Sequence, residues 1–148
     1  MRAAQGKWGR VFVLKFDHGD DFVEALRDFA RRKRIRTAVC LFLGALARGK
    51  IVTGPRRAVI PPEPNWVCVR DGWEMFGVGS VFAGPDGPAV HLHGSLGKKR
   101  RVFTGCVRKD ARVFCVIEAF VFELKGVGAR KGVDAATGLN LLQISARA

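Results

Sequence analysis

The chain has no tyrosine, no closely spaced pair of cysteines, and no apolar run of the ~20 residues that a membrane span needs. Its most apolar run, Ala38–Leu43, is far too short. The first residues, MRAAQGKWGR, lack the apolar segment of a secretory signal. The expected location is therefore the cytoplasm, with no membrane partner. The four cysteines, at positions 40, 68, 106 and 115, form no CxxC motif and no disulfide framework, which fits a reducing compartment. There is no phosphate-cradling glycine loop of the Walker or Rossmann type and no GxSxG nucleophile elbow. Internal repeats, low-complexity segments and a coiled-coil seam are absent too.

What is present suits one folded domain over residues 1–148. A chain of this length can bury roughly 68–70% of its unfolded surface, so its core needs no staples. The 48% hydrophobic fraction and mean hydropathy of +0.07 exclude intrinsic disorder. Charge is the extreme quantity. Lysine and arginine number 26 against 13 acidic residues, a net +13. Such a balance favours polyanions by long-range attraction. An arginine-rich composition with solvated faces produces the same balance without any polyanion partner. With no tyrosine and three tryptophans that do not alternate with basic residues, a base-stacking surface for single strands is not indicated.

Hydrophobic periodicity predicts strands at Arg10–Phe16, Thr37–Leu46, Lys50–Thr53, Trp66–Arg70, Glu74–Phe82, Ala89–Ser95, Arg101–Val107 and Arg112–Glu123, with a weak one at Leu139–Ile144. One helix is expected over Asp21–Arg34, capped by Asp20 or Asp21. Its basic last turn, Arg31 to Arg34, suits the helix dipole at ~0.3–1 kcal/mol per cation, so that run needs no ligand to explain it. Gly54–Asn65 holds four of the six prolines and reads as a loop. Lys109-Asp110 reads as the centre of a tight hairpin. The fold class that follows is α+β, a mixed, mostly antiparallel sheet of about seven or eight strands with one main helix.

The segment with chemistry in it is Ala89-Val90-His91-Leu92-His93-Gly94-Ser95. Side chains at i and i+2 of a strand share a face, so His91 and His93 can reach one metal ion. Two ligands do not make a site, and two histidines packed on a sheet face are the competing reading. The hairpin at Lys109-Asp110 would set Cys106 opposite Val113 and Cys115 opposite Thr104. Cys106 then lies on the strand next in sequence to the histidines, where its thiolate could complete a His₂Cys set. Three ligands with a fourth position left open is the catalytic zinc pattern. Glu74 and Glu118 are carboxylates inside strands; Glu74 is the candidate general base if the protein is an enzyme, and an arginine pairing is the plainer expectation for Glu118. His18 reads as a solvated turn residue.

Several blocks resemble the plant-and-prokaryote-conserved (PPC) domain, which plants fuse to AT-hooks. They are RVFVLKFDHGDDFVEALRDFARRKRIRTAVCLFLGAL, then WEMFGVGSVFAGPDGPAVHLHGSLG, then VFTGCV and RKGVDAATGLNLL, spanning about Arg10 to Leu142. The block containing Glu74, the Gly-Pro-Asp-Gly turn and His-Leu-His is the most specific. The resemblance implies an α+β fold with an antiparallel-rich sheet, assembled as a homotrimer. Prokaryotic members are typically the bare domain, and several look able to hold zinc through the HxH pair and a third histidine. That histidine normally follows two glycines, whereas this chain has Thr104-Gly105-Cys106. A His₂Cys zinc site and loss of the metal both remain open.

The AT-hook core, Arg-Gly-Arg, is absent, and Arg56-Arg57 after Gly54-Pro55 does not supply it. The case for nonspecific DNA contact rests on charge, concentrated at Arg31–Arg36, Arg56-Arg57, Lys98-Lys99-Arg100-Arg101 and Arg130-Lys131, with the Lys98–Arg101 loop repeated around a trimer. The first reading is a trimeric, metal-binding module touching nucleic acid through phosphates. The second is a small zinc-dependent enzyme that activates water or a carbonyl.

Overall fold

The computed structural model describes residues 1–145. Seven strands and one helix follow in the order β1 (Lys7–Asp17), α1 (Phe22–Arg32), β2 (Thr37–Pro55), β3 (Pro64–Gly84), β4 (Gly87–Lys98), β5 (Arg101–Lys125), β6 (Ala129–Val133) and β7 (Asn140–Ile144). The expected α+β class with a mostly antiparallel sheet is the class found. No helix among the described residues is long and apolar enough to cross a membrane.

The strands are longer than the periodicity suggests. Thr37–Leu46 and Lys50–Thr53 are two stretches of β2, joined through register shifts around Leu46, Arg48 and Lys50. Trp66–Arg70 and Glu74–Phe82 are likewise both in β3. The tight hairpin at Lys109-Asp110 does not form, because β5 runs straight through it. Asp110 does take the left-handed conformation that a turn would use, at φ 55°. Yet β2 lies alongside throughout, with Lys50 opposite Lys109 and Arg48 opposite Arg112, so the chain bulges instead of reversing. Arg48 and Arg112 both hold the Asp110 carboxylate, at 3.1 and 3.6 Å. The facing scheme built on that hairpin fails with it, since Val113 stands opposite Leu46.

These long, bent strands close a circuit in which β2 pairs with β3, β3 with β4, β4 with β5, and β5 with β2. Alternation sends Leu46, Ile51, Val69, Leu92, Leu96 and Val113 into the core, all 2% exposed or less. Helix α1 closes the core with Phe22 and Leu26. It starts at Asp21, whose carboxylate accepts from the Glu24 N–H at 3.2 Å, and stops at Arg32 rather than Arg34. Strand β1 extends the sheet beyond β5 and is tied to it by Arg10, whose guanidinium donates to both oxygens of Glu123 at 2.8 and 2.9 Å. Those bonds hold the Glu123 carboxyl down at about 2. The β6–β7 hairpin joins the sheet at β3, where Ala83 pairs with Arg130 in parallel.

Glycine sets the spacing of β3 and β4 next to the histidines. Gly77 stands opposite Gly94, and a Cβ on Gly77 would run into the His93 carbonyl oxygen and come within 2.5 Å of the Phe42 ring. We expect Gly77→Ala to cost about 1–3 kcal/mol by overpacking. For a chain of this size that lowers the melting temperature by roughly 2–4 °C per kcal/mol, readable by thermal denaturation. An unchanged melting temperature would show that the two strands can separate freely.

Candidate metal centre

Strand β4 carries His91 and His93 on its outer side, because Leu92, Gly94 and Leu96 face inward. In the antiparallel ladder His93 stands directly opposite Cys106 of β5. Direct partners of this kind have Cβ atoms about 4.5–5.5 Å apart, close enough for side chains to meet. One ring nitrogen of each histidine and the Cys106 sulfur all lie within 4.8 Å of one another. The two Nε2 atoms are 3.1 Å apart. Zinc bonds of about 2.0–2.3 Å separate tetrahedral donors by roughly 3.3–3.8 Å, so the cluster needs only side-chain adjustment. Two imidazoles and a thiolate are a donor set that suits zinc.

The protonation states are set by burial and by positive neighbours. Desolvation, followed by the charges of His93, Lys131 and Arg108, lowers His91 to about 4, leaving a neutral imidazole ready to donate a lone pair. Burial pushes the Cys106 thiol up, and Arg108 pulls it partly back. A metal taken up here must displace the thiol proton.

The remaining candidates are not gathered at this point. Glu74 is on the outer side of β3, four residues from Val78, the partner of His93. That is about 13 Å of extended chain, too far for a base acting on water at the cluster. Glu118 stands across from Lys15 and Leu43 and forms no ion pair among the described residues. Cys115 lies in β5 away from Thr104; its N–H donates at 3.2 Å to Nδ1 of His18, which is an exposed turn residue as expected. Among the basic candidates, Arg56 pairs with Glu63 at 3.4 Å. Lys98 donates to the backbone oxygens of Arg70 and Asp71. Arg101 stacks over Trp73 at 5.8 Å. Lys99 and Arg100 form the exposed β4–β5 turn, and Arg57 is exposed in the proline-rich loop.

Two features went unread in the sequence. Arg108 lies two residues past Cys106 on the same strand, and strand alternation alone would have placed it beside the cluster. The other is an apolar face that only pairing reveals. Register places Val13, Phe120, Leu41, Val78 and His93 in one row across five strands, so the His–Cys cluster stands at the end of an apolar stripe. Val13, Leu41 and Val78 are 72%, 46% and 50% exposed, and Phe76 and Leu43 in the next row are 66% and 50% exposed.

No curated protein is a significant match to this sequence. Solved structures are. A metal-containing protein from Archaeoglobus fulgidus shares 26% identity, with 97% of this chain and 99% of that one covered at a TM-score of 0.84. A plant- and prokaryote-conserved protein from Pyrococcus horikoshii shares 25% identity over 99% and 100% of the two chains, also at 0.84. A Ralstonia eutropha protein, proposed to bind DNA, has the same fold at 18% identity, 90% coverage of each chain and a TM-score of 0.72. A model of the Plants and Prokaryotes Conserved (PCC) domain matches residues 3–125, and it is to this family that the chain belongs.

Proposed function

We propose that the protein is a zinc-holding binding module of the cytoplasm that assembles as a homotrimer and contacts nucleic acid nonspecifically through basic loops. The convergence of His91, His93 and Cys106 carries the metal part of this reading. The cysteine at the position of a family histidine keeps a donor there, and thiolate is as good a zinc ligand as imidazole. The similar Archaeoglobus protein is metal-containing, which agrees with it. Assembly is supported by the exposed apolar stripe, larger than the scattered apolar residues of ordinary surfaces.

The nucleic-acid part is supported by the net charge of +13 and by Lys99, Arg100 and Arg57, which stand exposed and outside every ion pair among the described residues. Contacts to phosphates alone release counterions, so affinity for duplex DNA should fall steeply with salt and ignore sequence. Fluorescence anisotropy on two unrelated duplexes tests this. We expect equal affinities, and a log–log salt slope that a Lys99→Ala/Arg100→Ala variant reduces by roughly two per engaged protomer. Salt-independent binding, or none at low salt, would remove nucleic acid from the proposal.

One observation favours a second reading, a small zinc-dependent enzyme. Three protein ligands leave a coordination position open, and a cleft borders His93 and Cys106. Zinc bound there would supply Lewis acidity to a carbonyl or water oxygen. Arg108 would orient an anionic group, and Glu74 is too distant to be its base.

A further inference from the structure

A cleft of about 390 Å³ opens beside the cluster, between the proline-rich segment and the β4–β5 pair. Val52, Pro62, Pro64 and Trp66 form apolar walls, and His93 and Cys106 meet it on one side. Trp66 is 45% exposed. The one full charge in the lining is Arg108, which forms no ion pair among the described residues. An apolar concavity with a single guanidinium at its edge specifies a ligand of matching asymmetry.

The geometry points to a binding site for a small apolar monocarboxylate, one aromatic ring or a short acyl chain, with its carboxylate on Arg108 and its body against Trp66 and the prolines. Guanidinium and carboxylate match as a two-point hydrogen-bonded pair. A phosphate ester would bring more charge than one arginine and apolar walls can satisfy. A cationic ligand would meet Arg108 and the net charge of +13 as repulsion. The volume is at the small end of ligand pockets, which sets the size of the apolar part. The inference rests on the zinc proposal only where the ligand would also reach the ion; Arg108 and the walls stand without it.

Isothermal titration of the full chain with phenylacetate and with its neutral amide, phenylacetamide, tests the site in both zinc-loaded and chelator-treated protein. Phenylacetate should bind at least about tenfold more tightly than the amide, the worth of one charged hydrogen-bonded pair. Arg108→Gln should erase that preference, Arg108→Lys should keep part of it, and Trp66→Ala should weaken both ligands alike. Circular dichroism confirms that each variant is folded. Equal affinity for acid and amide in the unmodified protein, or no binding of either at millimolar concentration in both zinc states, overturns the inference. Failure to load zinc would sink the metal proposal alone, because the zinc-free titration still reads the carboxylate preference.

Discussion

Purified without a histidine tag, the protein is expected to retain roughly one zinc ion per chain, and the His91→Ala/His93→Ala variant none. Plasma emission spectrometry reads this directly. Cys106→Ala should weaken zinc by at least about 100-fold, the upper end of what losing a mere supporting partner costs. Zinc at a hundred times its dissociation constant adds about 2.7 kcal/mol to stability. For a chain this long the melting temperature should rise by roughly 5–10 °C over chelator-treated protein. The pH dependence has a definite sign. Burial keeps the Cys106 thiol protonated in the metal-free protein, so zinc uptake expels a proton and affinity drops as pH falls. His91, lowered to about 4, is already neutral near pH 7 and contributes no proton there. Titration calorimetry in buffers of different ionisation enthalpy counts the protons released. A protein that arrives empty and stays empty when zinc is added back would end the zinc proposal, and with it the enzyme reading.

Placing one carboxylate in the apolar stripe should convert the assembly to single chains. In the proposed trimer, sedimentation should give three times 16.2 kDa, and Leu41→Asp or Val78→Asp should return the mass of one chain. Both side chains are about half exposed in the isolated chain, so the fold tolerates the change. Burial of an unpaired carboxylate in the interface would cost several kcal/mol at each contact, weakening association by at least about a thousandfold. A protein that sediments as a single chain at micromolar concentration would contradict assembly through this face, and a dimer would contradict the trimer.

Local patterns in the chain were enough for the helix, the strand class and the His-Leu-His pair. Asp21 as cap and the spacing of Phe22, Leu26 and Ala30 are signals complete within one helical turn or two. Likewise, His91 and His93 share a face by strand alternation alone, whatever lies next to them. Lys109-Asp110 shows where local signals stop being sufficient. Asp110 accepts the left-handed conformation of a turn, but whether the chain reverses there depends on the strand beside it. With β2 supplying partners on both sides, a bulge keeps the ladder where a hairpin would have ended it.

The approach of Cys106 to the histidines was expected from strand order and family likeness, but through a pairing with Val113 that does not exist. It stands opposite His93 because β4 and β5 meet in a tight turn at Lys99-Arg100. The α+β class, the basic charge, the helix with its cap and the two imidazoles on one side of a strand are local properties, since each depends on composition or on residues within a few positions. The facing of Cys106 and His93, the distance to Glu74, the place of Arg108 beside an apolar cleft and the joining of Val13, Leu41 and Val78 into one face are long-range relations that no local pattern carries. Those relations are set by inter-strand register, where a shift of one residue turns every side chain to the opposite side of the sheet.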